Sequence, residues 1–214
     1  LHLTFLNFVC FVFIFFIFFM SIIEVDPKSQ KHFYSMWGVP PDHVSARIKK
    51  IMSDLRIEFG GPQFEPHLTI VGAISLTEEE ALENFRNASA CLKPLPVVVD
   101  RVAFGSFFYQ CVFLLLHPTE QVVETSSMCC DHFGSKTCEP YMPHVSLIYG
   151  DLSIDEKKKG EDLVNTMDEG INSLIFEITR FQLWKTDTED ISLQSWERIG
   201  EFCVEQESNS FSKF

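Results

Sequence analysis

Basic residues are scarce in this 214-residue chain, which has 17 Lys and Arg against 30 Asp and Glu and a formal net charge of −13. Long RNA or DNA is held largely through Lys and Arg, so this balance argues against a protein that binds polymeric nucleic acid. Gly and Pro, at ten each, exclude collagen-like and low-complexity classes. The sequence also lacks a Gly-rich phosphate loop of the Walker or dinucleotide type. Its length and 46% hydrophobic content suffice for one domain, or two fused small halves, with a real core.

The first 23 residues contain no Asp, Glu, Lys or Arg but eight of the 22 phenylalanines. We therefore predict that residues 1–19 lie outside the fold, and three interpretations stay open. The segment is long enough for a membrane or signal-anchor helix. It has the apolar region of a cleaved signal peptide, without a basic start or a small-x-small site. Alternatively it is a mistranslated leader, with Met20 as the true start. The expected localisation is cytoplasmic; a membrane-anchored or secretory protein follows only if residues 1–23 are native.

Cysteine is too sparse for a disulfide scaffold, and a cytosolic chain normally keeps its cysteines reduced. One cluster stands out, formed by Cys129, Cys130, His132 and Cys138. Its spacing is not a standard zinc pattern, so we favour a mobile cysteine-containing loop, which could hold one local disulfide, over a zinc site. We predict no metal and no cofactor.

The chain contains an internal repeat, in which the segment 66–71 (PHLTIV) returns 77 positions later as 143–148 (PHVSLI). Each copy is followed by a capping-box pattern, Thr77 with Glu80 and Ser153 with Glu156. Each half therefore reads as a strand, a short loop and a capped helix. We predict an α+β fold of two pseudo-twofold-related lobes, each an antiparallel sheet flanked by helices, with an active-site cleft between them.

Further elements complete this layout over residues 20–204. A helix beginning at Asp42 has apolar residues at spacings of three, four and seven, and it should stop at Gly60 and Gly61. Alternating or continuous apolar patterns predict strands over residues 33–38, 97–105, 107–116, 174–185 and 195–204. Residues 205–214 form a polar tail that we expect to be frayed.

Two histidines in the repeated segments are the candidate catalytic groups. In a strand, residues i and i+2 face the same side, so His67 projects with Thr69 and His144 with Ser146. Two imidazoles can act as general base and general acid on a phosphate ester, and the hydroxyls can bind its non-bridging oxygens. An isolated histidine in a strand is usually structural. A polar pair kept in both copies of a repeat favours catalysis.

These paired motifs resemble those of the two-histidine phosphoesterase superfamily, in particular its plant cyclic phosphodiesterase branch. The resemblance runs from about Phe33 to Val204 and includes supporting stretches at residues 33–37, 107–116, 140–144 and 185–190, with Trp196. It implies metal-independent hydrolysis of ADP-ribose 1″,2″-cyclic phosphate to ADP-ribose 1″-phosphate, a step downstream of tRNA splicing. It also implies hydrolysis of nucleoside 2′,3′-cyclic phosphates to 2′-phosphates.

The resemblance also implies roles for single residues. His144 would be the general base and His67 the general acid, although the near symmetry of the motifs makes this assignment the weaker part. Thr69 and Ser146 would bind the phosphate. Aromatic contacts with substrate are expected from Trp37, Tyr109 and Tyr149, and Cys91 and Cys203 match positions that can pair. The expected partner is a small cyclic phosphate nucleotide, bound by a monomer.

Two alternatives remain at this point. One is an RNA-end-processing member of the same superfamily, of the 2′,5′-ligase or exonuclease type, which predicts a basic groove. The other is a non-catalytic nucleotide-binding module, which predicts damage in one of the two motifs.

Overall fold

Eight antiparallel strands form a single sheet in the computed structural model, which describes residues 29–135 and 140–204. The strands are β1 (His32–Val39), β2 (Leu68–Leu76), β3 (Leu95–Phe104), β4 (Val112–Leu116), β5 (His144–Ile148), β6 (Ile175–Ile178), β7 (Arg180–Lys185) and β8 (Glu197–Cys203). Their order in the sheet is β6-β3-β4-β5-β2-β1-β7-β8. The sheet therefore consists of two four-stranded halves joined where β5 pairs with β2, and the predicted α+β fold with two related halves is confirmed.

Within the described ranges, four α-helices accompany the sheet: α1 (Asp42–Phe59), α2 (Glu78–Ser89), α3 (Glu120–Phe133) and α4 (Ile154–Met167). Helix α1 begins and ends where its pattern predicts. Both capping boxes are present, because Thr77 and Ser153 each accept a hydrogen bond from the N3 backbone of their helix while the N3 glutamate binds back to the cap. The local signals that delimit these helices therefore act as the sequence indicates.

Helix α3 replaces the predicted cysteine loop. The Thr119 hydroxyl accepts a hydrogen bond from the N–H of Val122 at its start, and Gly134, at a φ of 66°, ends it in the left-handed region. Cys129 and Cys130 are buried on this helix, so the prediction of a mobile loop around the cysteine cluster was wrong for residues 129–133. Burial of two cysteines beside aliphatic residues holds the segment against the sheet, although its Ser, Thr and Val content disfavours a helix.

The Cys91–Cys203 pair that the resemblance implies is not formed. Cys91, Cys111, Cys129 and Cys203 are free, and Cys130 is disulfide-bonded. Cys138 lies outside the described residues. Within the part of the chain that the structure describes, no three His, Cys, Asp or Glu side chains are arranged to hold a metal ion.

Two predicted strands are interrupted. Residues 108–110 form a short 3-10 helix before β4, so the strand predicted over 107–116 begins only at Val112. The strand predicted over 174–185 is two strands that belong to different halves of the sheet: β6 pairs with β3, and β7 pairs with β1. The sheet curls to allow this, and Ile178 packs 3.1 Å from the position that a Cβ on Gly38 would occupy.

The sheet presents one face to the hydrophobic core and the other to the polar groups described below. On β1, Tyr34 and Met36 are fully buried in the core, while the alternate residues Ser35 and Trp37 face the opposite side. No helix among the described residues is long and apolar enough to cross a membrane. The expectations for residues 1–19, for Met20 as the start and for the tail at 205–214 fall on residues outside the described ranges.

Candidate active site

The two repeated motifs meet where β2 and β5 pair. Leu68 lies opposite Val145 in this antiparallel ladder, and both side chains are fully buried. The antiparallel register places His67 across from Ser146 and Thr69 across from His144, and all four side chains project to the face opposite the core. The pseudo-twofold relation between the halves therefore brings two imidazoles and two hydroxyls together on this face of the sheet.

A cavity of about 350 Å³ opens over this point. All seven site residues predicted from the sequence line it, together with eight others: Ser35, Gly72, Ala73, Phe107, Gln110, Thr186, Thr188 and Trp196. None of these fifteen described lining residues is Lys, Arg, Asp or Glu. The charge in the occupied cavity must therefore come from the ligand and from the histidines.

Both histidines are held in the same way by their own motif. The Nδ1 of His67 lies 2.6 Å from the carbonyl oxygen of Glu65, and the Nδ1 of His144 lies 2.9 Å from that of Met142. A carbonyl only accepts hydrogen bonds, so Nδ1 carries the proton in each ring and Nε2 is left for chemistry. In each histidine, Nε2 is therefore the nitrogen that can exchange a proton with a ligand.

Burial keeps both imidazoles neutral in the free protein. The pKa of His67 is lowered from 6.5 to about 4, chiefly by desolvation; the hydrogen bond to Glu65 opposes this shift, and the nearby His144 contributes a smaller lowering. The pKa of His144 is also lowered by burial. A histidine that acts as a general acid here must therefore take up its proton together with an anionic ligand, since a nearby negative charge raises the pKa of an imidazole.

The two hydroxyls of the motifs differ in their hydrogen bonding. The Ser146 hydroxyl donates to the carbonyl oxygen of Tyr109 over 2.9 Å. The Thr69 hydroxyl lines the cavity and has no protein partner among the described residues. Thr69 is therefore free to donate to a ligand, whereas Ser146 also fixes the backbone at Tyr109.

The three predicted aromatic contacts are not equally accessible. Tyr109 is half-buried, and its hydroxyl donates to the carbonyl oxygen of Thr188 over 2.8 Å. Tyr149 is buried and stacks on Phe64 with ring centroids 3.8 Å apart, and its burial raises the pKa of its phenol well above the usual 10.0. Trp37 is only 2% exposed and stacks on His67.

Known proteins are similar to this chain over most of its length. Residues 33–207 match the model of the family described as cyclic phosphodiesterase-like protein. The chain belongs to this family. A cyclic phosphodiesterase of Arabidopsis thaliana is 44% identical over 170 residues, which are 79% of this chain and 94% of that protein. A 2′,3′-cyclic-nucleotide 3′-phosphodiesterase of Yarrowia lipolytica is 24% identical over 55% of this chain and 73% of its own length.

Solved structures share the fold at low sequence identity. LigT of E. coli, crystallised with phosphate, has a TM-score of 0.52 and 12% identity, and the match covers 83% of this chain and all of that one. TT0787 of Thermus thermophilus has a TM-score of 0.53 and 12% identity over 80% of this chain and 97% of its own. Membership of the cyclic phosphodiesterase-like family makes the protein a phosphodiesterase, and these structures show that it shares the fold of LigT.

Glycines permit two close approaches around the phosphodiesterase site. A Cβ on Gly61 would lie 2.7 Å from the carbonyl oxygen of Tyr149, so this glycine lets the loop that carries His67 rest against the Tyr149 backbone. A Cβ on Gly105 would lie 2.7 Å from the carbonyl oxygen of Gln110, at the turn that leads to Tyr109. Both loops around the cavity thus depend on a missing side chain.

Several lining residues were missed by sequence reasoning. Ser35 and Thr186, both buried, share a hydrogen bond of 2.8 Å at the cavity wall. Ser35 lies two residues before Trp37 on a strand, so the alternation of side chains along the strand could have placed Ser35 on the same face as Trp37. Thr186, Thr188 and Trp196 fall within the stretches that carry the family resemblance, but no role at the site was predicted for them, because their loop is distant in sequence from both motifs.

That loop, residues 186–196, is organised by one carboxylate. Asp190 accepts hydrogen bonds from the backbone N–H and the hydroxyl of both Ser192 and Ser195. These bonds hold the pKa of Asp190 far below its ordinary 3.8. Trp196 in turn donates its indole N–H to the carbonyl oxygen of Asp187 over 2.8 Å. The loop therefore holds a defined shape at the cavity rim.

Proposed function

We propose that this phosphodiesterase hydrolyses ADP-ribose 1″,2″-cyclic phosphate to ADP-ribose 1″-phosphate, and nucleoside 2′,3′-cyclic phosphates to 2′-phosphates, without a metal ion or other cofactor. The observation that carries the proposal is the convergence of His67, Thr69, His144 and Ser146 on one cavity whose described lining has no charged side chain. Two imidazoles with Nε2 free supply the base and the acid that hydrolysis of a cyclic ester requires.

In the proposed reaction, His144 is the general base. Its Nε2 removes a proton from water as the water oxygen forms a bond to phosphorus. The bond from phosphorus to one ring oxygen breaks, and His67 donates its Nε2 proton to that oxygen. The products are a phosphate monoester and a hydroxyl, and exchange with solvent returns the protons to their starting positions.

The proton on His67 is acquired with the substrate. Burial lowers the pKa of free His67 to about 4, so the neutral ring predominates at pH 7. An anionic phosphate within hydrogen-bonding distance favours the charged ring, and the burial of His67 strengthens that attraction. Thr69 donates a hydrogen bond to a non-bridging oxygen and stabilises the charge that develops on it.

A small substrate is supported by the size and the lining of the cavity. About 350 Å³ is within the usual range for a small-ligand site. The net charge of −13 disfavours a polyanionic partner. The Yarrowia relative is named for 2′,3′-cyclic nucleotides and for a 3′-phosphodiesterase reaction, which is the bond cleavage proposed here for nucleosides.

Two alternatives have less support. An RNA-end-processing 2′,5′-ligase or exonuclease calls for a basic groove beside the histidines, and the described lining of this cavity contains no Lys or Arg. A non-catalytic binding module calls for a damaged motif, and both motifs are complete.

The proposed setting is a cytoplasmic monomer that acts downstream of tRNA splicing. Among the described cysteines, those at positions 91, 111, 129 and 203 are free, as is usual in a reducing compartment, whereas Cys130 is disulfide-bonded. The link to tRNA splicing rests on the resemblance to plant cyclic phosphodiesterases. Fractionation of cells and gel filtration of the purified protein would test the compartment and the oligomeric state.

The experiment is an assay of the purified protein on ADP-ribose 1″,2″-cyclic phosphate and 2′,3′-cyclic AMP with excess chelator. We expect turnover that chelation leaves unchanged. His67→Ala and His144→Ala should each lower kcat by at least about a hundredfold, the usual contribution of a general acid or base. His117→Ala is the matched control, because His117 is half-exposed and lies outside the cavity lining. Turnover that disappears with chelator, or survives both substitutions, would refute the mechanism.

A further inference from the structure

The two histidines have equivalent motifs but different surroundings. The Trp37 indole stacks face to face on the His67 ring, with centroids 3.6 Å apart and an interplanar angle of 7°. Among the described aromatic residues, His144 is contacted by Phe113 alone, edge-on, with centroids 5.2 Å apart and an interplanar angle of 60°. The repeat thus conserves the hydrogen bond of each histidine but gives a stacked partner to one of them.

Trp37 is placed to contact His67 rather than a ligand. It is 2% exposed, although it lines the cavity, and its backbone lies opposite Thr69 in the β1–β2 ladder. That register puts its indole on the same face as His67, beside the strand that His67 precedes. Little indole surface is left for a nucleobase or a ribose.

Trp37 is itself held in place by the next strand. The Trp184 ring stacks on it at 4.5 Å and 21°. The Trp184 indole N–H donates to the side-chain oxygen of Gln182 over 2.8 Å, and the Gln182 amide donates to Glu201 over 2.6 Å. A chain of contacts from β8 through β7 therefore fixes the indole that touches His67.

We propose that Trp37 is a positioning residue for His67: it fixes the plane of the imidazole and stabilises its protonated form, and it does not bind substrate. This inference rests on the proposed function, in which His67 is the general acid. The bond from Nδ1 to Glu65 fixes one atom of the ring, and the stack fixes its plane, so that the two together aim Nε2 at the leaving oxygen. An indole face also attracts a cation, most strongly in a desolvated site.

The test compares Trp37→Leu and Trp37→Phe with Phe181→Leu. Phe181 is fully buried on β7 beside Gly38, on the core face of the sheet, and it controls for loss of packing. Steady-state kinetics with 2′,3′-cyclic AMP give kcat and KM, thermal melting gives stability, and imidazole NMR reports the tautomer of His67 and the ring-current shift of its carbon-bound protons. The His67 signals are assigned by their absence in His67→Gln.

We expect Trp37→Leu to lower kcat about tenfold or more, because misplacing a reacting group by about 1 Å can cost up to about a hundredfold, while KM stays within about twofold. Trp37→Phe, which keeps a flat ring, should recover most of kcat. In Trp37→Leu the upfield ring-current shift of His67 should disappear and its Nδ1–H tautomer should lose dominance. Phe181→Leu should melt at a lower temperature with kcat unchanged.

Three results would overturn the inference. A rise in KM with kcat unchanged would show that Trp37 contacts substrate. An equal fall of kcat in Phe181→Leu would show a general packing effect. If the wild-type protein hydrolyses no cyclic phosphate, the proposed function fails and the NMR comparison decides alone: an unchanged His67 tautomer and shift in Trp37→Leu would refute the positioning role.

Discussion

Gly60 and Gly61 allow a sharp test of how the loop before His67 is supported. Both residues have positive φ values, 78° and 96°, which residues with a side chain rarely adopt. A Cβ on Gly60 would meet nothing within 4 Å, whereas a Cβ on Gly61 would lie 2.7 Å from the carbonyl oxygen of Tyr149. Gly60→Ala therefore adds backbone strain alone, and Gly61→Ala adds strain together with a clash.

The magnitudes differ accordingly. Gly60 has a ψ of −154°, a combination that is almost confined to glycine and costs other residues about 1–3 kcal/mol. We expect Gly60→Ala to lower the free energy of unfolding by about that amount, and Tm by about 3–10 °C in a domain of this size. The Cβ of Gly61→Ala would lie well inside the 3.4 Å at which ordinary contact begins. Relieving this overlap requires the backbone of the loop or of Tyr149 to move.

The effect on activity should separate the two variants. The displaced loop carries Phe64, which stacks on Tyr149, and ends at His67. We expect Gly61→Ala to lower kcat/KM for 2′,3′-cyclic AMP at least about tenfold, since shifts of about 1 Å at a reacting group have effects of this size. Gly60→Ala should retain kcat/KM within about twofold. Urea unfolding and initial rates measure both quantities, and equal activity of the two variants would refute the reasoning.

Two further predictions concern the motif residues. The pKa of His67 is 6.5 in the unfolded chain and about 4 in the folded protein. Between these two pH values the unfolded state therefore binds a proton that the folded state does not. The free energy of unfolding should fall by about 3 kcal/mol as pH drops from about 6.5 to about 4. Urea titrations should show this loss in the wild type and a smaller one in His67→Gln; identical losses would contradict it. Thr69→Val should lower kcat by about a hundredfold with Tm unchanged, because its hydroxyl has no protein partner among the described residues. Ser146→Ala should lower kcat and also destabilise by about 1 kcal/mol, because the Tyr109 carbonyl loses its donor; equal melting temperatures for these two variants would contradict that difference.

Local signals account for the parts of the fold that sequence reasoning placed correctly. Helix α1 follows its apolar spacing from Asp42 to the glycines at 60 and 61, and Thr77 and Ser153 cap their helices within one turn. These features depend on residues three or four positions apart. They can therefore be predicted without knowledge of the tertiary contacts.

Helix α3 shows a local signal that was overlooked. Thr119 is a hydroxyl N-cap and Gly134 a left-handed C-cap, and the two lie the length of one helix apart. The cysteines between them suggested a loop or a metal site instead. What holds the helix is the burial of Val122, Cys129 and Phe133 against the sheet, which the sequence of the segment does not display.

By itself, the sequence determined that two equivalent units exist, that each contributes a histidine and a hydroxyl to one face of a strand, and that the chain resembles cyclic phosphodiesterases. Only the tertiary structure decided how the units meet, through the pairing of Leu68 with Val145, and which distant groups complete the cavity. It also divided residues 174–185 between two halves of the sheet and stacked the Trp37 indole on the His67 ring. The physical reason is that alternation along a strand fixes the side to which a residue points. Strand pairing and ring stacking between strands far apart in the chain fix what it meets there.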